Sequence, residues 1–420
     1  IQLVADAQRS SAPIQRLADS VSGYFVPVVV GIAAMAFGVW FLVGPEPRLS
    51  HALVSAISVL IIACPCALGL ATPMSIMVGV GRGASAGVLV RNGAALERLE
   101  KANCVVVDKT GTLTLGKPVV TEVFVVPGLE EHEALVFAAS LERHSEHPLA
   151  AAIVAAAADR GGVLSDAMDF HSTPGEGVQG KIGAKAGLMG KREFLARQSI
   201  AGFEAMESKV AEMQGRGETV VYLGIDGRLV ALFAISDPIK PTSHEAVEDL
   251  HRLGLKVVMV TGDHRQTAEA VAKALGIDEV VAEVLPAEKA AYVQKLRNGG
   301  KVVVMAGDGV NDAPALASAD VGIAMSTGAD VTIESAGITL LHGDLRGVVR
   351  AIRLSQSVMG NIRQNLFFAF IYNLLGVPIA AGVLYPALGL LLNPMLAGLA
   401  MSLSSVSVVT NALRLRTAKL

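Results

Sequence analysis

Cysteine is scarce in this chain, with three among 420 residues, Cys64, Cys66 and Cys104. Three thiols do not make a disulfide framework, and they fit a chain whose soluble part faces a reducing cytosol. Charge is also sparse: 17% of residues are Asp, Glu, Lys or Arg and the formal net charge is −3. Nothing in that balance points to nucleic-acid binding in bulk. The sequence begins at Ile1 rather than Met, and no signal-peptide pattern precedes its first apolar run, so a fragment or a processed chain is expected. What the chain has in abundance is apolar surface. It is 52% hydrophobic with a mean hydropathy of +0.52, which places part of it in a bilayer.

Four stretches carry no charge at all: 24–43, 52–80, 366–384 and about 388–410. A helical span needs about 20 mostly apolar residues, so each qualifies, and the second is long enough to tilt or to break. Arg82, Arg91, Arg98 and Lys101 follow the second run. Arg350, Arg353 and Arg363 precede the third, and Arg414, Arg416 and Lys419 follow the fourth. The positive-inside rule then puts the large soluble part and both termini on the cytoplasmic side.

Between the second and third runs, CVVVD (104–108), KVVMV (256–260), KVVVM (301–305) and VGIAM (321–325) alternate with helical stretches such as 264–275 and 287–297. That pattern predicts a doubly wound α/β sheet with parallel strands. Residues 119–235 break it and read as a second, inserted domain. The expected organisation is a linker (1–20), two membrane helices (21–83), a phosphate-handling α/β domain (84–118 and 236–345) holding an α+β insert (119–235), two more membrane helices (346–412) and a tail (413–420).

Ligands of open α/β sheets bind beyond the carboxyl ends of the strands. DKTGTLT (108–114) places Asp108 at such an end. Thr110 and Gly111 offer backbone groups there, and Thr112 adds a hydroxyl. TGDH (261–264) supplies Thr261, Gly262 and Asp263. GDGVNDAPAL (307–316) supplies Asp308 and Asp312, and Lys289 lies in LPAEKA. A carboxylate nucleophile attacking a phosphate needs a divalent cation and a Lys to bring two negative groups together. Asp308 and Asp312 suit Mg²⁺, a hard ion that prefers oxygen, and Lys289 with Thr261 suits a transferring phosphoryl group.

Together these three motifs resemble the phosphorylation domain of P-type ATPases, built on the haloacid-dehalogenase core. The resemblance implies that Asp108 becomes an aspartyl-phosphate, that Lys289 neutralises its charge, and that the Thr110 carbonyl joins Asp108, Asp308 and Asp312 around Mg²⁺. SLERHSEHPLA (140–150) and PGEGVQG (174–180) resemble the nucleotide-binding domain of the heavy-metal subgroup, which implies that Glu142, His147, Gly175 and Gly177 meet the adenine end of ATP. One departure is visible: the family carries Gly-Asn where this chain has Gly190 and Lys191.

The second apolar run contains IIACPCALGLATP (61–73). Pro65 cannot donate a backbone hydrogen bond, so it opens the helix beside two thiols, and polar groups inside a membrane are costly and usually functional. Thiolates select soft metals: Cu(I), Ag(I), Zn(II) or Cd(II). The third run adds Tyr372 and Asn373 and the fourth Met401, Ser404 and Ser405, with no carboxylate in either. Tyr-Asn and Met-x-x-Ser-Ser resemble signatures of the copper(I)-exporting subgroup, and the zinc subgroup is less similar.

The resemblance therefore implies an integral membrane protein of the bacterial inner membrane, with cytoplasmic soluble domains. It would use ATP and Mg²⁺ to export Cu(I), which a copper chaperone could deliver. The family also has further leading spans and an actuator domain with a Thr-Gly-Glu loop. No such loop is found in the membrane-proximal N-terminal part here, so this chain alone is expected to bind ATP and copper without turning over. The competing readings are a Zn(II)/Cd(II) pump, a membrane-anchored phosphatase on the same core, and a non-pumping paralogue acting as an interaction partner.

Overall fold

A computed structural model describes residues 13–173, 175–308, 312–325 and 336–420. Five long helices form the membrane-compatible part: α1 (Pro13–Val43), α2 (Arg48–Ile62), α3 (Cys66–Ser85), α4 (Arg346–Ala381) and α5 (Pro394–Leu413). By length and composition they make four candidate spans, with α2 and α3 together forming one. The break between α2 and α3 falls at Ala63–Pro65, where the sequence placed it.

Three helix limits differ from the apolar runs. α1 starts at Pro13, inside the stretch expected to be linker, whereas residues 1–12 lie outside the described residues. α4 starts twenty residues before the run at 366. Its first half is amphipathic, and Val348, Val349, Ala351, Ile352 and Leu354 are buried in the core of the α/β domain rather than in lipid. α5 starts at Pro394, not 388, because Pro at its first turn and the Asn393 side chain, which accepts the Met395 N–H at 2.8 Å, set the helix start there.

Small residues let these helices approach. A Cβ on Gly79 of α3 would overlap Val358 of α4, and one on Gly376 of α4 would overlap Ile62 of α2. Polar side chains add interhelical bonds. Ser75 Oγ bonds Asn361 Oδ1 at 2.8 Å, and Asn361 Nδ2 donates to the Asn411 carbonyl at 2.9 Å, tying α3, α4 and α5 together.

In chain order the strands are β1 (Val88–Val90), β2 (Cys104–Asp108), β3 (Val119–Val125), β4 (Met168–Thr173), β5 (Gly177–Ile182), β6 (Lys185–Gly190), β7 (Thr219–Ile225), β8 (Arg228–Ser236), β9 (Lys256–Val260), β10 (Glu279–Val281), β11 (Val303–Gly307), β12 (Val321–Met325) and β13 (Ile338–Leu340). Seven form one sheet in the order β1-β13-β12-β11-β2-β9-β10, parallel except at the β1 edge. Both faces are covered, which is why these strands are near-continuous Val runs. Val105, Val107, Val257 and Met259 point into one core cluster; Cys104, Val106, Val258 and Val260 point into another on the opposite face. Each such side chain, fully buried, stabilises the fold by about 1.5–3 kcal/mol.

The other six strands form an antiparallel sheet, β3-β8-β7-β6-β5-β4, with helices Glu131–Glu142 and Pro148–Asp159 packed on it. It lies between β2 and β9 in sequence, as an insert. The chain is thus a multidomain protein: membrane-type helices, a haloacid-dehalogenase-like α/β domain and an inserted α+β domain.

Candidate functional site

β11, β2 and β9 are neighbours in the parallel sheet, so the residues at their carboxyl ends converge. Asp108 ends β2, Asp308 follows β11, and Thr261, Gly262 and Asp263 follow β9. One carboxylate oxygen each from Asp108, Asp308 and Asp312 lies within 4.8 Å of the others. Lys289, on helix Pro286–Asn298, reaches between them: its Nζ is 2.5 Å from Asp108 Oδ1 and 2.8 Å from Asp312 Oδ1. Residues 309–311 of the GDGVNDAPAL motif lie outside the described residues.

Three carboxylates against one ammonium leave excess negative charge in a buried place. Burial, reinforced by Asp312, raises the Asp108 pKa to about 7, although Lys289 pulls it down. Burial and Asp312 also push Asp308 up. Burial opposes the charge on Lys289, but Asp108 and Asp312 outweigh it and the ammonium is held above its ordinary range. An all-oxygen donor set with surplus negative charge fits a hard divalent cation such as Mg²⁺.

The loop after Asp108 is built around Gly111, whose φ of +71° is the left-handed region. A Cβ there would overlap the Asp308 carboxylate. Thr110 is exposed, whereas Thr112 is fully buried and its hydroxyl has no hydrogen-bond partner. Asp263 forms an ion pair with Lys109 and is not one of the three clustered carboxylates. The Thr261 hydroxyl accepts the Asp263 N–H at 3.1 Å.

Sequence reasoning passed over Lys109, Asp237 and Lys240. Asp237 Oδ2 accepts the Thr114 hydroxyl at 2.5 Å and Oδ1 accepts the Lys117 N–H at 3.1 Å, which pins both chain crossings into the insert. The signal was SDPIKP at 236–241, a charged turn segment where the chain re-enters the α/β domain.

In the insert, Glu142, His147, Gly175 and Gly177 line one cavity of about 450 Å³, together with Gly190 and Lys191. Gly177 and Gly190 face each other across β5 and β6, and a Cβ on Gly177 would overlap the Met189 carbonyl. Burial raises the pKa of Glu142 against a lowering by Ser145, and Glu142 Oε2 has no partner. His147 caps helix Pro148–Asp159: its Nδ1 accepts the Leu149 N–H at 3.2 Å, which leaves Nε2 to carry the proton.

In the membrane part Cys64 and Cys66 stand on either side of Pro65 with their sulfur atoms joined and their Cα atoms 5.4 Å apart. The helix break turns both side chains to the same side, so their sulfur atoms meet. The oxidised pair offers no thiolate, and metal binding requires the reduced form. Cys64 packs on the cluster that contains Met401. Asn373 and Ser404 are buried, and Asn373 Oδ1 and Ser404 Oγ have no partner. Tyr372 instead lines an apolar cavity with Ile62 and Gly376 and is 37% exposed; Ser405 is half-buried.

Residues 102–320 match the haloacid dehalogenase-like hydrolase family. The chain is 58% identical to a copper-exporting P-type ATPase of Legionella pneumophila, over 99% of this chain and 56% of that protein. It is 56% identical to a silver-exporting P-type ATPase of Salmonella typhimurium, over 100% of this chain and 51% of that one. It therefore spans about half the length of these curated relatives. The crystal structure of a zinc-transporting PIB-type ATPase in its E2.Pi state superposes with a TM-score of 0.82 at 34% identity, over 99% of this chain and 66% of the other. The chain belongs to the haloacid dehalogenase-like hydrolases and, within them, to the heavy-metal-transporting P-type ATPases.

Proposed function

We propose that this chain carries the catalytic and metal-binding parts of an ATP-driven Cu(I) exporter of the bacterial inner membrane, working through an aspartyl-phosphate at Asp108. The observation that supports this most is the buried cluster of Asp108, Lys289, Asp308 and Asp312 at the ends of adjacent parallel strands. A carboxylate oxygen of Asp108 attacks the γ-phosphorus of ATP, the bond to the bridging oxygen breaks, and ADP leaves with that electron pair. Lys289 offsets the negative charge that gathers as the two groups approach. Asp108, Asp308, Asp312 and the Thr110 carbonyl would hold Mg²⁺, which supplies further charge neutralisation when bound. The cavity lined by Glu142, His147, Gly175 and Gly177 takes the adenine end of ATP.

Cys64 and Cys66, once reduced, bind Cu(I) with Met401, Asn373 and Ser404 nearby; Tyr372 and Ser405 flank the site. α2 to α5 contain no Asp or Glu. Two thiolates already overbalance one positive charge, so the chemistry favours Cu(I) over Zn(II). A copper chaperone is the delivering partner in this reading.

The test is phosphorylation of the purified, reduced chain by ATP labelled on the γ-phosphate. Label that is retained in acid, released by hydroxylamine and absent in Asp108→Asn supports the aspartyl-phosphate. Stimulation by Cu(I) but not Zn(II), lost in Cys64→Ser/Cys66→Ser, supports the metal. Labelling equal in Asp108→Asn overturns the first reading, and stimulation by Zn(II) alone overturns the second.

A further inference from the structure

Lys240 lies outside every motif that identified the site, yet its ammonium is placed where the two halves of the machine meet. An ammonium has three N–H donors. Lys240 Nζ donates to the carbonyls of Gly111, Thr112 (3.1 Å) and Gly343 (2.8 Å). The first two belong to the loop that follows Asp108. The third stands three residues before α4, the helix that carries Tyr372 and Asn373.

The surrounding strap, residues 237–243, is bonded on both sides. Toward the loop, the Lys240 N–H donates to the Leu113 carbonyl at 3.0 Å, and the Ser243 hydroxyl donates to the same carbonyl at 2.8 Å. Toward α4, the Thr242 hydroxyl bonds Asp344 Oδ1 at 3.1 Å, and Asp344 in turn pairs with Arg346 at 2.7 Å. Half-burial lowers the Lys240 pKa, whereas Asp308, Asp344 and Asp237 favour its charged form. α4 runs unbroken from Arg346 to Ala381, so a displacement at its base moves the segment at 372–373 as one body.

We propose that Lys240 is a positioning residue that links the phosphorylation loop to the base of α4, so that the occupancy of Asp108 and the soft-metal affinity of the membrane site are thermodynamically coupled through it. This rests on the reading of Asp108 as the phosphoryl acceptor. The chain also joins α3 to Asp108 directly, through residues 86–107. The strap is shorter and reaches the other helix of the site. A linkage measurement tests the coupling. If the phosphate site changes metal affinity by some factor, metal changes the phosphate-site affinity by the same factor.

The experiment uses the whole chain, reduced, in detergent. The probes are Ag(I) as a redox-stable soft cation and beryllium fluoride with Mg²⁺ as the analogue of a phosphorylated Asp108. The wild type is expected to show at least a fivefold change in Ag(I) affinity on adding beryllium fluoride, with the reciprocal change in fluoride affinity. In Lys240→Met the ratio falls to within twofold of unity, and Lys240→Arg restores part of it. Thr242→Val cuts the strap from α4 without touching the catalytic loop. It is expected to lower the ratio while each ligand alone binds as before. A full ratio in both Lys240→Met and Thr242→Val overturns the proposal, and so does a wild-type ratio of one. Failure of the wild type to bind beryllium fluoride at all strikes the reading of Asp108 itself.

Discussion

Replacing Lys289 with Met removes a charge and keeps most of the volume. Lys289 is 8% exposed, and its Nζ sits 2.5 Å from Asp108 and 2.8 Å from Asp312. Breaking a buried pair by removing one partner costs about 3–5 kcal/mol, because the other charge stays buried and unpaired. For a domain of this size that corresponds to a drop in Tm on the order of 10 °C. The sign with pH is fixed by Asp108. Its pKa, about 7 in the folded chain, is already above the ordinary carboxylate value. Folding therefore takes up a proton there, and this group's contribution to stability falls as pH rises from about 4 to 7. Without Lys289 the pKa moves higher and the loss extends further up. The variant is thus weakest at pH 8 and partly rescued at pH 6. Mg²⁺ at about a hundred times its Kd restores about 2.7 kcal/mol. The assay is hydrogen exchange in β2 and β11, which reports this domain rather than the whole multidomain chain. Protection equal to wild type at pH 8, or indifferent to both acid and Mg²⁺, refutes the cluster as the seat of the charge.

Gly111→Ala must place a Cβ against Asp308 at a positive φ, which costs about 1–2 kcal/mol in backbone alone; if that cost falls on the bound state, calorimetry should find Mg²⁺ binding about tenfold weaker. Gly177→Ala forces β5 and β6 apart at the Met189 carbonyl, and overpacking of this kind costs about 1–3 kcal/mol. Nucleotide titration should show about a tenfold loss with the Asp108 site intact. Ser404→Ala removes a buried hydroxyl that has no partner, so the metal-free chain should gain up to about 1–3 kcal/mol. Its thermal stability in detergent should rise while Ag(I) affinity of the reduced chain falls; a fall in both would separate Ser404 from the metal.

The parallel sheet was legible because strands buried on both faces have to be runs of Val, and CVVVD and VGIAM became β2 and β12 residue for residue. The meeting of Asp108 with Asp308 was legible because they stand at the ends of those runs. The expected membrane pair began at 346, where α4 does start, but the role of its first half was not legible, since residues 346–365 mix Arg with apolar side chains and cover a soluble core. Lys240 stood in a visible charged turn, SDPIKP, but its role there was not legible, for another reason. Its partners are three backbone carbonyls, and a carbonyl has no letter in the sequence. The joined sulfurs of Cys64 and Cys66 depend on how two helix ends meet at Pro65, which spacing alone leaves open.

Buried polar atoms without a partner give a test of the site assignments that owes nothing to motifs. Each costs about 1–3 kcal/mol, so a folded chain retains few, and those retained call for a reason. Among the described residues the buried side-chain atoms in this state are Thr72 Oγ1, Thr112 Oγ1, Glu142 Oε2, Asn373 Oδ1, Ser404 Oγ and the Nε atoms of Arg297 and Arg350. Arg297 still bonds the Ser318 carbonyl and pairs with Asp320 through its other nitrogens. Four of the rest fall in the three places where a ligand is proposed: Thr112 beside Asp108, Glu142 in the cavity of the insert, and Asn373 and Ser404 beside the Cys-Pro-Cys break. Thr72, on α3 below that break, and Arg350, on the first half of α4, belong to none of them. A ligand that bonds these atoms recovers in the complex the hydrogen bond that folding forfeits. At these four positions a ligand of the kind proposed would offset a cost that the empty chain bears.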